Sequence, residues 1–320
     1  MSNFSDSDFI IEINLLTKSY VFSLSIILFP IGIILNSLSI YVFRRKNLRK
    51  TTMSFYNIIL SVSYIALFFL SVFQYANFGT NQDFLLVSTS NCIFFSFASR
   101  VLLQMVSWLN VLLTLDRTIW VLAPNRFFFM KNFKFLSLLI LGLFAALMIL
   151  NSANFFYKLT DANYTSILNI TKLCTMDQQF ANARSSIAVL FRFIIPLTLI
   201  FIMNYFLIKR LATTSHNLLV TSQIHKDYSF TYAVVLIDLL FWTALLPNAI
   251  MILVAYLYGY NESNAYSTRT FALLTLGNCI AYSITFYSYA FSFFINFKFN
   301  KLFKSELYIV CNEIKHRFCR

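Results

Sequence analysis

The chain has 320 residues, 59% hydrophobic and 12% charged, with a mean hydropathy of +0.70. Soluble globular chains are about 45–50% apolar and about 25% charged, so this chain cannot cover a water-facing surface of its size. Its 38 Phe and 18 Tyr exclude a disordered chain, its five Gly and four Pro a collagen-like one, and its five Cys a disulfide framework or zinc array. What remains is a polytopic helical membrane protein. The net charge of +13 does not point to nucleic acid. The basic residues cluster in short segments between long apolar runs, which is how membrane topology is written.

A membrane-spanning helix needs about 20 mostly apolar residues. Seven windows qualify, roughly 20–43, 55–76, 92–115, 136–156, 186–208, 229–257 and 270–296. No internal repeat is visible, which argues against a solenoid. Connections are short except near 157–185 and 209–228. The expected organisation is an N-terminal segment 1–19, one bundle over 20–296 and a tail over 297–320. No cleavable signal peptide is expected, because Asp6, Asp8 and Glu12 precede an apolar run too long for an h-region. Arg44, Arg45, Lys46, Arg49 and Lys50 follow that run at once. Positive charge stays in the cytoplasm, so the N-terminus is expected outside.

The later loops agree. The segments then expected in the cytoplasm, 44–54, 116–135, 209–228 and 297–320, hold 18 of the 25 Lys and Arg. Four glycosylation sequons start at Asn3, Asn163, Asn169 and Asn261, all in segments expected outside, where an acceptor must lie.

At the foot of the third window stands Leu115-Asp116-Arg117-Thr118. Cys92 precedes Arg117 by 25 residues, about 37 Å of helix at about 1.5 Å per residue. That places the cysteine at one rim and the arginine at the other. Pro124 follows Arg117 by seven residues, and Cys174 lies in the long loop after window four. Both cysteines are expected in an oxidising compartment, so a bridge between them is chemically reasonable.

With these residues the chain resembles the rhodopsin-like (class A) G-protein-coupled receptors, in a divergent, invertebrate-type form. Gly32 and Asn36 match the span-one signature loosely. Cys92, Asp116-Arg117 and Pro124 stand at the family's own spacing, and Cys174 matches its second extracellular loop. Phe193 and Pro196 match span five, Phe241 and Pro247 span six, and Phe303 the start of a short amphipathic eighth helix. Other positions depart. Tyr64 stands where the family has its sodium-binding Asp, Leu245 where a Trp toggle is usual, and Asn204 where span five has Tyr. Span seven reads Ser292-Phe293-Phe294-Ile295-Asn296 in place of Asn-Pro-x-x-Tyr. Sodium modulation is therefore not expected. Ser99 and Leu103, in place of an Asp, argue against an amine receptor, and span seven has no Lys for retinal.

The resemblance implies roles. Asp116 and Arg117 form a charge latch, freed to meet a G protein when span six moves; the plain alternative is an interfacial ion pair. Pro196 and Pro247 serve as hinges, or are merely tolerated in membrane helices. Intramembrane charge is expensive and informative. Arg100 and Gln104, four residues apart, share a face of span three, and Arg192 lies one turn above Pro196. These arginines recognise an acidic ligand group such as a peptide carboxylate, or snorkel to headgroups. Asp238 pairs with Arg117, pairs with a cytoplasmic Lys, or points into the bundle. Asn248, Asn278 and Tyr282 line the ligand pocket or act as interhelical glue. Cys311 and Cys319, in the basic tail, are palmitoylation candidates or spare thiols; Cys279 is packing. His216, His225 and His316 are dispersed, so no metal cluster is expected, nor any cofactor, phosphate-binding glycine loop or Gly-x-Ser-x-Gly nucleophile.

The sequence therefore leads us to expect an all-α, seven-span plasma-membrane receptor for an extracellular ligand. That ligand is a peptide or, as the alternative, a small chemosensory molecule. A heterotrimeric G protein is the expected partner, alongside the lipid bilayer. A transporter or channel is the rival class, but the inverted repeats and Gly/Pro-broken helices of transporters are absent from the sequence.

Overall fold

The computed structural model describes residues 6–80, 87–122, 132–161, 172–215, 222–257 and 269–318. Six apolar windows are single helices: α1 Asp6–Phe43, α2 Thr52–Thr80, α3 Thr89–Leu122, α4 Phe133–Leu150, α6 Ser222–Leu257 and α7 Arg269–Phe299. The fifth helix, α5, is one rod in three stretches: α-helical Gln178–Ala188, π-helical Val189–Ile194 and α-helical Ile195–Ser215. A last helix, α8, spans Lys301–Phe318. Among the described residues, seven helices are long and apolar enough to cross a membrane, which makes this a multi-pass helical membrane protein.

Burial runs opposite to that of a soluble protein. On α1, Ile27 and Ile34 are more than 60% exposed while Asn36 and Ser39 are buried; on α4, Leu138, Leu141 and Ile149 are exposed. Water would penalise such a surface, whereas lipid favours it and drives polar groups inward. The buried hydroxyls need no distant partner. Ser25, Ser63 and Ser283 each donate to the carbonyl four residues back.

Helix α1 packs on α2 and α7, α2 on α3, α3 on α5, and α6 on α7. Aromatic rings fill the α1–α2–α7 seam. Phe29 lies 5.7 Å from Phe68 and 5.2 Å from Phe286, centroid to centroid. Gly32 faces the Phe68 ring so closely that a Cβ there would overlap it. One turn on, Asn36 donates to the Gly32 carbonyl at 2.8 Å and the Tyr289 carbonyl at 3.3 Å, tying α1 to α7.

The first helix begins at Asp6, not near residue 20, and residues 6–19 of the expected N-terminal segment continue the rod. Their apolar run, Phe9 to Leu16, carries helix despite the charges. At about 1.5 Å per residue, 38 residues far exceed a hydrocarbon core of about 30 Å, so the ends project beyond it. The Arg269 guanidinium lies 4.1 Å over the Phe9 ring, fixing the start of α7 against α1.

The long segment after α4 contains a feature the sequence reading did not anticipate. After a 3-10 turn, Ser152–Phe156, the strands β1 Lys158–Asp161 and β2 Lys172–Thr175 pair antiparallel, with Leu159 opposite Cys174.

Helix α8 begins where Asn300 Oδ1 accepts from the Phe303 amide at 3.0 Å, an N-terminal cap. Phe303, Leu307 and Val310 are buried on one face, and the Phe303 ring lies between Phe43 and Phe293. Arg45 donates twice to Glu313, at 2.8 and 3.2 Å, and once to Glu306 at 3.3 Å. Glu313 first and Glu306 second hold its guanidinium pKa above the ordinary arginine value.

Candidate functional site

Two polar clusters stand out, one at the Arg117 end of the bundle and one toward the disulfide end.

Asp116 and Arg117 lie near the end of α3, 1% and 8% exposed. Arg117 donates from Nε and Nη2 to Asp116 Oδ2, at 3.1 and 2.5 Å. The same Nη2 lies 3.0 Å from Thr52 Oγ1, and that hydroxyl donates to Asp116 Oδ2 at 2.9 Å. One carboxylate oxygen thus gathers donors from α2 and α3. Thr52 is held there because Thr51 caps α2, accepting from the Ser54 amide at 3.2 Å. An open cleft bordered by Lys50, Met53, Trp120 and Phe230 exposes the edge of Arg117.

Of the three alternatives for Asp238, the structure has the one in which it points into the bundle. It is wholly buried on α6, and its Oδ2 accepts from Thr114 at 2.7 Å and Asn204 at 3.1 Å. Thr114 precedes Arg117 by three residues on α3, and Asn204 comes from α5. The Asp238 bonds therefore tie three helices together. Arg117 is not available to it, being held by Asp116 and Thr52 on the α2 side.

At the other end Cys92 and Cys174 form a disulfide with Cα atoms 5.9 Å apart. It clamps the β-hairpin to the start of α3. Phe156, at the end of the 3-10 turn that precedes β1, stacks on Phe180 at 4.1 Å and holds that turn against α5.

Between these ends, the π-helical stretch governs what α5 presents. Pro196 has no N–H to give the Arg192 carbonyl. The Ile195 amide reaches back five residues to Leu190, which widens the turn. The Phe191 carbonyl, passed over, accepts from the Trp108 indole of α3 at 2.9 Å. In this wide turn Arg192 points into the bundle and is 1% exposed, which removes snorkelling as its explanation. Its Nη1 donates to the Tyr282 hydroxyl at 3.4 Å, and its guanidinium lies 4.8 Å over Phe193 and 5.4 Å over Tyr282. Arg100 and Arg184 are also within electrostatic reach of Tyr282. Nε and Nη2 of Arg192, and Nη1 of Arg100, are buried with no hydrogen-bond partner among the described residues.

The structure therefore brings Arg100, Arg192 and Tyr282 together and separates Gln104 from them. Gln104 accepts from Asn151 at 2.6 Å, joining α3 to the end of α4. Although Arg100 and Gln104 share a helical face, their side chains serve different neighbours. Pro247 lies inside α6, and the next residue, Asn248, is wholly buried with both side-chain polar atoms unpartnered. Asn278 Oδ1 is likewise unpartnered. Tyr64 of α2 stacks on Tyr289 of α7 with ring centroids 4.5 Å apart. Leu245 is fully buried, Cys311 is exposed on α8, and Cys279 is half-buried. No cluster of metal-binding side chains occurs among the described residues. Asn3, Asn163, Asn169, Asn261, Pro124 and Cys319 lie outside the described residues.

Thr52, Thr114, Trp108 and Arg184 belong to these clusters, and sequence reading gave none of them a role. Their partners are on other helices, and a lone Thr or Trp in an apolar window carries no signal of its own.

The fold and these clusters define a seven-helix membrane protein with a buried ion pair at one end and a disulfide-clamped hairpin at the other. No family model matches the chain, and no curated protein matches it.

Proposed function

We propose that this protein is a G-protein-coupled receptor of the rhodopsin-like type, set in the plasma membrane with its N-terminus outside. The disulfide end is then extracellular and the Arg117 end cytoplasmic. The supporting observation is the latch at the end of α3, where Asp116 and Thr52 hold Arg117 beside an open cleft. A receptor needs such an element with two arrangements of nearly equal energy. The Asp238 bonds to Thr114 and Asn204 supply the second constraint, holding α6 against α3 and α5. An outward movement of α6 breaks those bonds and opens the cleft. Arg117 can then exchange its internal acceptors for those of a G protein's terminal helix, with Trp120 and Phe230 as apolar walls. The chain breaks no covalent bond. Its ligand acts by binding the open packing more tightly than the closed one.

An extracellular peptide is the ligand class this reading favours. The test is nucleotide exchange on a panel of G proteins in membranes carrying wild type or Arg117→Ala, with extract of the source organism, intact or protease-digested. Stimulation that requires Arg117 and disappears on digestion is the expected result. Stimulation that survives digestion shifts the ligand to a small chemosensory molecule. A surface-displayed protein that stimulates no exchange under any condition contradicts the receptor reading.

A further inference from the structure

We infer that Arg192 is the seat for a carboxylate carried by the ligand, and that Asn248, on the helix packed against this stretch, receives an amide of the same ligand. This rests on the receptor reading, in which the disulfide half of the bundle holds the ligand.

The first ground is charge. Ion pairs among the described residues involve Arg45 and Arg117, and none involves Arg192 or Arg100. A buried guanidinium without a carboxylate is costly, and natural proteins keep one where a partner arrives from outside. Arg100 also acts electrostatically on the Tyr282 hydroxyl that Arg192 bonds, so these two positive charges together favour an anion there.

The second ground is geometry. Nη1 of Arg192 is spent on Tyr282. Nε and Nη2, which remain unpartnered, form one edge of the guanidinium. Their two N–H bonds run parallel and match the two oxygens of a carboxylate. The Tyr289 hydroxyl is also near Arg192, but it completes no hydrogen bond with either nitrogen. The wide turn and the Trp108 bond fix the backbone from which this edge is presented.

The third ground is Asn248. Its side chain is wholly buried, with Nδ2 and Oδ1 both unpartnered, on the helix that packs against the π-helical stretch. A primary amide offers one donor and one acceptor, the complement of a peptide group. The ligand chemistry that serves both residues is a carboxylate on a molecule that also carries a secondary amide, as at a peptide C-terminus or in an acylated amino acid. Arg192 is closed off in this packing. Occupation requires the helices to part, which couples binding to a change of state.

The test uses the full chain in phosphatidylcholine nanodiscs with no G protein, so its outcome is independent of signalling. Thermal unfolding is followed with N-benzoylglycine, its neutral amide N-benzoylglycinamide, or benzoate, at millimolar concentration and constant ionic strength. N-benzoylglycine is expected to raise the midpoint, benzoate less so, and the neutral amide not at all. Arg192→Gln should abolish the response. Arg192→Lys, which keeps the charge and loses the fork, should weaken it roughly tenfold or more, and carries the test if the Gln variant does not fold. The proposal is overturned by equal shifts from acid and neutral amide, by no shift with either acid, or by a wild-type shift in the Arg192 variants. A benzoate shift as large as that of N-benzoylglycine removes the role of Asn248 and leaves a simple organic acid as the source of the carboxylate. If the acid shift appears while Arg117-dependent exchange fails, the binding inference stands and the signalling reading falls.

Discussion

The two polar clusters of this bundle are opposites. At the Arg117 end the positive charge is answered within the chain, by Asp116 and by the Thr52 hydroxyl. Around Arg192 the charge is also buried, but two of its three nitrogens have no partner among the described residues. The first cluster is paired within itself; the second leaves buried donors unpaired among the described residues. Under the proposed receptor reading the two have different work: the first holds the resting packing, and the second favours another packing once a ligand carboxylate meets it.

The largest expected effect sharpens this comparison from the hairpin. Replacing Cys92 with Ser frees the hairpin from α3 and should cost about 2–5 kcal/mol. A lower unfolding midpoint and reduced surface display would report it. An unchanged midpoint would mean that the strand pairing and the Phe156–Phe180 stack of the preceding turn hold the hairpin without the bridge.

Next comes Asp238→Leu, which leaves the Thr114 hydroxyl and Asn204 amide without their shared acceptor. The expected loss is about 2–3 kcal/mol from the closed packing, read as a rise in ligand-independent nucleotide exchange. Asp238→Asn keeps an acceptor oxygen and should rise less. Lower basal exchange in both variants would show that Asp238 supports the active packing instead.

The smallest effect concerns the wide turn. Trp108→Phe removes the donor to the Phe191 carbonyl and should cost about 1 kcal/mol. Because that bond steadies the turn presenting Arg192, the variant should also lose part of the N-benzoylglycine shift. A full shift with a lowered midpoint would confine Trp108 to stability.

Much of the architecture could be read from the sequence because its causes are local. A run of apolar residues long enough to cross a bilayer announces itself, and all seven windows are helices. The spacing of Cys92, Arg117 and Cys174 identified a bridge candidate and an ion pair without any coordinates. The contacts that complete each cluster were not legible. Thr52 meets Arg117 across 65 positions of sequence and Asp238 meets Thr114 across 124, and a hydroxyl in a span ordinarily donates to its own helix. Pro196 marked α5 as irregular, but not that the irregularity is a wide turn aiming Arg192 inward. Residues 6–19 show the reverse failure. The apolar window begins at about residue 20, yet the helix starts at Asp6, because a charged turn beyond the hydrocarbon costs little.

The most direct test of this division of labour is one exchange experiment on three proteins: wild type, Arg192→Gln and Arg117→Ala. Each is titrated with the active fraction of source extract. Arg192→Gln should keep the wild-type maximum of exchange but need at least roughly tenfold more extract, whereas Arg117→Ala should lose its maximum at any dose. If both substitutions shift the dose alone, or both abolish the maximum alone, Arg117 and Arg192 do not divide coupling and ligand binding between them.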